Sequence, residues 1–146
     1  MLALWGCGPQ TLEGSLTEVL DLRYHQAQTL SDDTQVSVSF TTPQGAGLNV
    51  VLKVSAQVGD LIIVPGAVIN LAEAGPNGAP RGTLSRDVLN APFHSFPPIR
   101  TGELRFDGIF KRGATVPGFF AVTFAEGSTP ASGHTVFGKF SARAPP

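Results

Sequence analysis

Residues 34–40 read TQVSVSF. Val36, Val38 and Phe40 alternate with Gln35, Ser37 and Ser39. A period of two puts the two sets on opposite faces of a strand, and no helix tolerates it with one face buried. The pattern returns in LNVVLKVSAQV, where Leu48, Val50, Leu52 and Val54 share a face. Between the two lies TPQGAG, whose Pro and Gly residues are breakers, so the pair reads as a hairpin. It returns three more times near the C-terminus, in GELRFDGIF, ATVPGFFAVTF and HTVFGKFSARA, which read as a meander. Such spacing prescribes an all-β chain: an antiparallel β-sandwich of about seven to nine strands, with a small β-barrel as the alternative. In the last hairpin, Phe120, Val122 and Phe124 are expected on the core face beside Val136 and Phe140. The intervening AEGSTPASG is expected to be an exposed loop.

The rest of the chain is less regular. LTEVLDLRYH, 16–25, carries both a helical spacing (Leu16, Val19, Leu20) and an alternation (Leu20, Leu22, Tyr24), and a strand over about 19–28 is favoured. GDLIIVPGAVINL is apolar on both faces, which predicts two short covered strands bent at Pro65 and Gly66. Residues 73–102 are rich in Gly and Pro and read as a long irregular region with one short strand over Thr83–Leu89. A weak echo, TVPGFF at 115–120 and TVFGKF at 135–140, sets glycine near aromatic residues. Rings can cover bare backbone in a twisted sheet, so the echo reads as hairpin architecture rather than as a repeat.

One cysteine excludes an internal disulfide, so the fold must rest on packing. At 146 residues a single core suffices. Charged residues are 14% of the chain, against about 25% in ordinary soluble domains. A net charge of −1 with no basic run speaks against a nucleic-acid binder. No stretch approaches the ~18 apolar residues of a membrane-spanning helix.

Motifs that carry chemistry are scarce. GHTVFGKF, 133–140, has the spacing of a phosphate-binding loop. It has Phe140 where magnesium binding needs Ser or Thr, and it alternates as a strand. His25, His94 and His134 share no ligand spacing, so no metal or cofactor is expected. Asp32 and Asp33 read as a solvated turn rather than a calcium loop, which supplies alternating ligands and a distal Glu. No nucleophile elbow is present and no carboxylate pair stands out, so no catalytic residue is assigned. A hydrolase of unknown substrate is the third and weakest reading. Phe93, His94 and Phe96, in a Pro-rich loop, are the candidate surface for a ligand or partner, since aromatics on a rigid loop make good anchors.

The chain starts MLALWGCGPQ. Leu4-Trp5-Gly6-Cys7 resembles the lipobox of bacterial lipoproteins, with Trp5 where small or aliphatic residues are usual. The resemblance implies acylation of Cys7. Two or three acyl chains, at about 0.8 kcal/mol per buried CH2, would anchor the chain stably. It implies residues 1–7 as a truncated signal whose start lies upstream, residues 8–15 as a mobile tether, and 16–146 as one domain. Gly8 after the cysteine implies the outer membrane, on its periplasmic or outward face. The expected function is then binding or structural, with the lipid membrane as one partner and a protein or glycan as another. The alternative is a self-assembling surface, fibre or shell subunit that uses its apolar N-terminal tail, hence a homo-oligomer.

Overall fold

The computed structural model describes residues 10–89 and 96–145. Along the chain run β1 (Gln10–Thr11), a 3-10 turn (Ser15–Glu18), β2 (Arg23–Tyr24), β3 (Gln26–Ser31), β4 (Gln35–Gln44) and β5 (Gly47–Gln57). They are followed by β6 (Val68–Asn70), β7 (Gly82–Asp87), β8 (Ile99–Phe106), β9 (Thr115–Phe124) and β10 (Thr135–Arg143). Strands take 54% of the chain and helix 3%, so the chain is nearly all β, as the alternation requires.

Eight strands form one sheet in the order β6-β8-β9-β10-β3-β4-β5-β7, and β1 and β2 form a separate ribbon. Inner-face rings meet between strands that are not neighbours in the sheet. Phe40 of β4 lies 5.5 Å from Phe120 of β9 and 6.1 Å from Phe140 of β10. The sheet is therefore doubled over into two layers with the core between them, a β-sandwich. The turn from one layer to the other falls between β10 and β3, which pair only at Ala142↔Ala27 and Arg143↔Gln28, and in parallel. The sheet is thus mixed, not purely antiparallel. At the far side Leu71 stitches the two edges. Its N–H donates to Gly102 O at 2.9 Å, and its carbonyl accepts from Gly82 N at 2.8 Å. No ladder closes the sheet into a barrel.

The hairpins follow the alternation except in the first half of β5. Val36, Val38 and Phe40 are buried, as are Phe120, Val122, Phe124, Val136 and Phe140. In β5 Leu52 and Val54 are buried as expected, but Leu48 and Val50 do not share their face: a bulge leaves Val51 as the extra, buried residue, and Leu48 is exposed. The strands of the first hairpin run further than TPQGAG suggests, with Gln44 paired to Gly47 around a left-handed Gly45. The 125–133 loop is exposed at its tip, although Ala131 is buried. The echo is a packing device: Gly118 pairs with Phe140 and Gly138 with Phe120.

Three expectations need correction. Residues 10–15 are not a tether. Gln10 and Thr11 pair with Tyr24 and Arg23, Leu12 is buried, and Glu13 exchanges two backbone hydrogen bonds of 2.9 Å with Phe137. Leu12 supplies the apolar contact that the flanking Gly and Pro could not. Gly14 then crosses β10 with φ at 108° and its α-carbon against the Thr135 carbonyl, where a side chain has no room. The strand expected over 19–28 is split into β2 and β3, after a 3-10 turn that buries Leu16. The apolar run 61–64 is not a covered strand. Leu61, Ile62 and Val64 stand exposed in a loop, and only β6 remains of the expected pair. The run precedes an edge strand of three residues, too short to bring a second layer over it.

Candidate functional site

The outer face of the β8–β9–β10 layer is built in cross-strand rows. Thr101, Thr123 and Thr135 share one row, and Glu103, Ala121 and Phe137 the next. The third row runs over four strands as Val68, Arg105, Phe119 and Lys139. Residues directly opposite lie about 4.5–5.5 Å apart, so each row is a line of touching side chains. The Arg105 guanidinium sits 5.6 Å from the centre of the Phe119 ring, and its Nε donates to Asp107 Oδ1 at 2.9 Å. A cation over an aromatic face is held electrostatically and pre-oriented.

Along β10 the period of two places Lys139, Ser141 and Arg143 on this same exposed face. Because β10 and β3 separate upstream of Ala142, a groove of about 820 Å³ opens between them. Arg105, Lys139, Arg143, His25 and Gln26 line it, and Gln10 of the N-terminal ribbon closes one end. The one carboxylate in the lining, Asp107, is already engaged by Arg105. Lys139 and Arg143 have no ion-pair partner among the described residues. His25 is fixed by a 2.6 Å hydrogen bond between its Nδ1 and Thr42 Oγ1. Arg143 also borders a second hollow against Ala144 and Pro145, and the next one along carries Lys111 and Arg112. Five of the ten Lys and Arg residues thus follow one track, although the chain's net charge is −1. The absence of a basic run hid this, because Arg105, Lys139 and Arg143 are brought together by strand register, and Lys111 and Arg112 join them from the β8–β9 loop.

The other charged cluster is structural. Arg81 is only 3% exposed. Its guanidinium donates to both oxygens of Asp60 at 2.7 and 3.0 Å, to Glu73 Oε2 at 2.9 Å and to the Gln57 carbonyl at 2.6 Å. The bond from Arg81 holds the Asp60 carboxyl below its ordinary pKa. These contacts tie the loops around β6 to β5 and occupy the donors that face the protein. Arg86, half-buried, donates to the carbonyls of Asp21 and Val51, and burial lowers its pKa while Asp21 opposes the shift.

Of the residues singled out from sequence, Cys7, Phe93 and His94 lie outside the described residues. Phe96 stacks on the buried Phe124, with ring centres 5.3 Å apart and planes within 10°, and so seals one end of the core. Asp32 accepts bonds from the N–H groups of Thr34 and Gln35, both at 2.8 Å, which makes it the cap of the β3–β4 turn. GHTVFGKF lies largely in β10, and its Lys139 belongs to the groove. Among the described residues no group of three or more His, Cys, Asp or Glu side chains could hold a metal ion. No protein-family model, curated protein or solved structure matches this chain.

Proposed function

We propose that this chain is a non-catalytic binding or structural domain held at a cell-envelope membrane by acyl chains on Cys7. The observation that carries the reading is how close the lipobox-like Leu4-Trp5-Gly6-Cys7 lies to the packed domain. Among the described residues Gln10, three positions after the cysteine, is already paired in β1. Acyl chains on Cys7 would thus hold the domain close to the lipid surface. Gly8 after the cysteine favours the outer membrane. A basic groove on the face reached by the N-terminal ribbon supports binding of an anionic partner.

The test is the intact mass of the protein from its native membrane, together with the fractionation of a Cys7→Ser variant. A mature chain that starts at Cys7 and carries acyl mass is expected, with the variant soluble and folded. An unmodified thiol, with Leu2, Leu4 and Trp5 packed on a neighbouring copy, would overturn the reading in favour of a self-assembling subunit.

A further inference from the structure

We propose that the cation-lined outer face of β8, β9 and β10, with the apolar loop tips beside it, is a docking surface for an anionic lipid bilayer. The proposal deepens the anchoring reading and rests on it for the source of the bilayer. Three peptide steps separate Cys7 from Gln10, and each spans at most about 3.6 Å, so an acylated Cys7 holds Gln10 within roughly 11 Å of the lipid surface. Gln10 lines the groove. The face that the anchor brings to the headgroups is therefore the one that carries Arg105, Lys139 and Arg143.

The charge matches that neighbour. Lys139 and Arg143 are exposed and without ion-pair partners among the described residues. Each cation near an anionic leaflet adds attraction that is screened by salt. The apolar surface matches it too. Val68 continues the row of Arg105, Phe119 and Lys139 and is 57% exposed. Gly66 N donates to Phe106 O at 2.8 Å, which fastens the loop of Ile62 and Val64 beside the loop that holds Ile109. Ile62 is 88% and Ile109 74% exposed. Cations flanked by bare aliphatic tips are what an interfacial surface needs: the cations take phosphate and the tips enter the headgroup boundary. A free phosphate would use the cations and leave the tips in water.

The test uses the full-length Cys7→Ser chain, which cannot be acylated there, in sedimentation with two sets of vesicles. One is phosphatidylcholine alone and the other contains added phosphatidylglycerol. Binding only to the second set is expected, and it should weaken as salt is raised. Lys139→Gln with Arg143→Gln should lower partitioning about 25-fold, roughly five-fold per charge. Ile109→Ser should lower it as well, while Lys53→Gln on β5, in the other layer, should not. Equal binding to both vesicles, or no loss in the double variant, would overturn the surface. Because this chain carries no acyl group, a failure here leaves the anchor standing, whereas an unmodified Cys7 in the native protein overturns the anchor and with it the assignment of this face to the bilayer, even if the vesicles are bound.

Discussion

Gly118 lies directly opposite Phe140 across the β9–β10 ladder, and a Cβ built on Gly118 would sit 2.5 Å from the edge of the Phe140 ring. The same Cβ would strike the Arg105 carbonyl on the other side. The ring occupies the space a side chain would need and covers the backbone there. Phe140 in turn meets Phe40 and Phe106, so this one glycine lets a ring reach both layers.

Gly118→Ala should therefore destabilise by about 1–3 kcal/mol, the usual cost of overpacking. The midpoint of urea unfolding measures it. Adding Phe140→Leu should return part of the loss if the ring is the obstacle, since contacting sites are not additive. An unchanged midpoint in Gly118→Ala would show that the ladder yields at no cost.

Phe124 is fully buried and stacked under Phe96. Phe124→Ala should cost about 3–5 kcal/mol, the range for a buried Phe. A loss under about 1 kcal/mol would mean that this face of β9 is not the packed one.

Leu12 tests whether the N-terminal ribbon belongs to the domain. It is 1% exposed, and its side chain reaches the space above Gly138. Leu12→Ala should lower stability by about 2–5 kcal/mol. A tether would lose nothing, and equilibrium denaturation separates the two.

Arg81 predicts a response to acid. Asp60 has its folded-state pKa lowered, first by the hydrogen bond from Arg81. Its contribution is therefore complete above the unfolded value near 4 and is lost as pH falls through the lowered folded value. Thermal melts of the native chain should fall as the pH drops below about 4, and Arg81→Met should flatten that part of the slope. At neutral pH the variant should also lose stability, and less than for a fully buried pair, because both carboxylates are nearly half exposed and can be hydrated.

What could be read in advance follows from range. β4, β9 and β10 and the second half of β5 were legible because period-two alternation is a local signal, and Phe120, Val122 and Phe124 point where it says; the bulge at Val51, which turns Leu48 and Val50 to the other face, leaves no local sign. The glycine–aromatic echo was legible for the same reason. Leu61–Val64 misled because an apolar run does not say whether a second layer lies over it. Residues 10–15 misled because Gly and Pro outweighed a single Leu12 whose partners, Leu22 and Gly138, are distant in sequence. The groove was illegible, since Arg105, Lys139 and Arg143 meet only once the register of three strands is known. Arg81 likewise gave no sign, its partners Asp60 and Glu73 lying in separate loops.

The parallel contact of β10 with β3 governs how the molecule comes into being. β10, the last described strand in chain order, sits in the middle of the sheet, flanked by β9 on one side and by β3 on the other. Until Thr135–Arg143 is available, both neighbours present raw edges, the sort of template on which chains aggregate. The closing contact joins residues 27–28 to residues 142–143, and such non-local pairing places folding in the slow, millisecond-to-second class of all-β domains. A chain cut short within β10 should therefore leave β9 and β3 without their shared partner, and it should be recovered as aggregate rather than as a weaker domain.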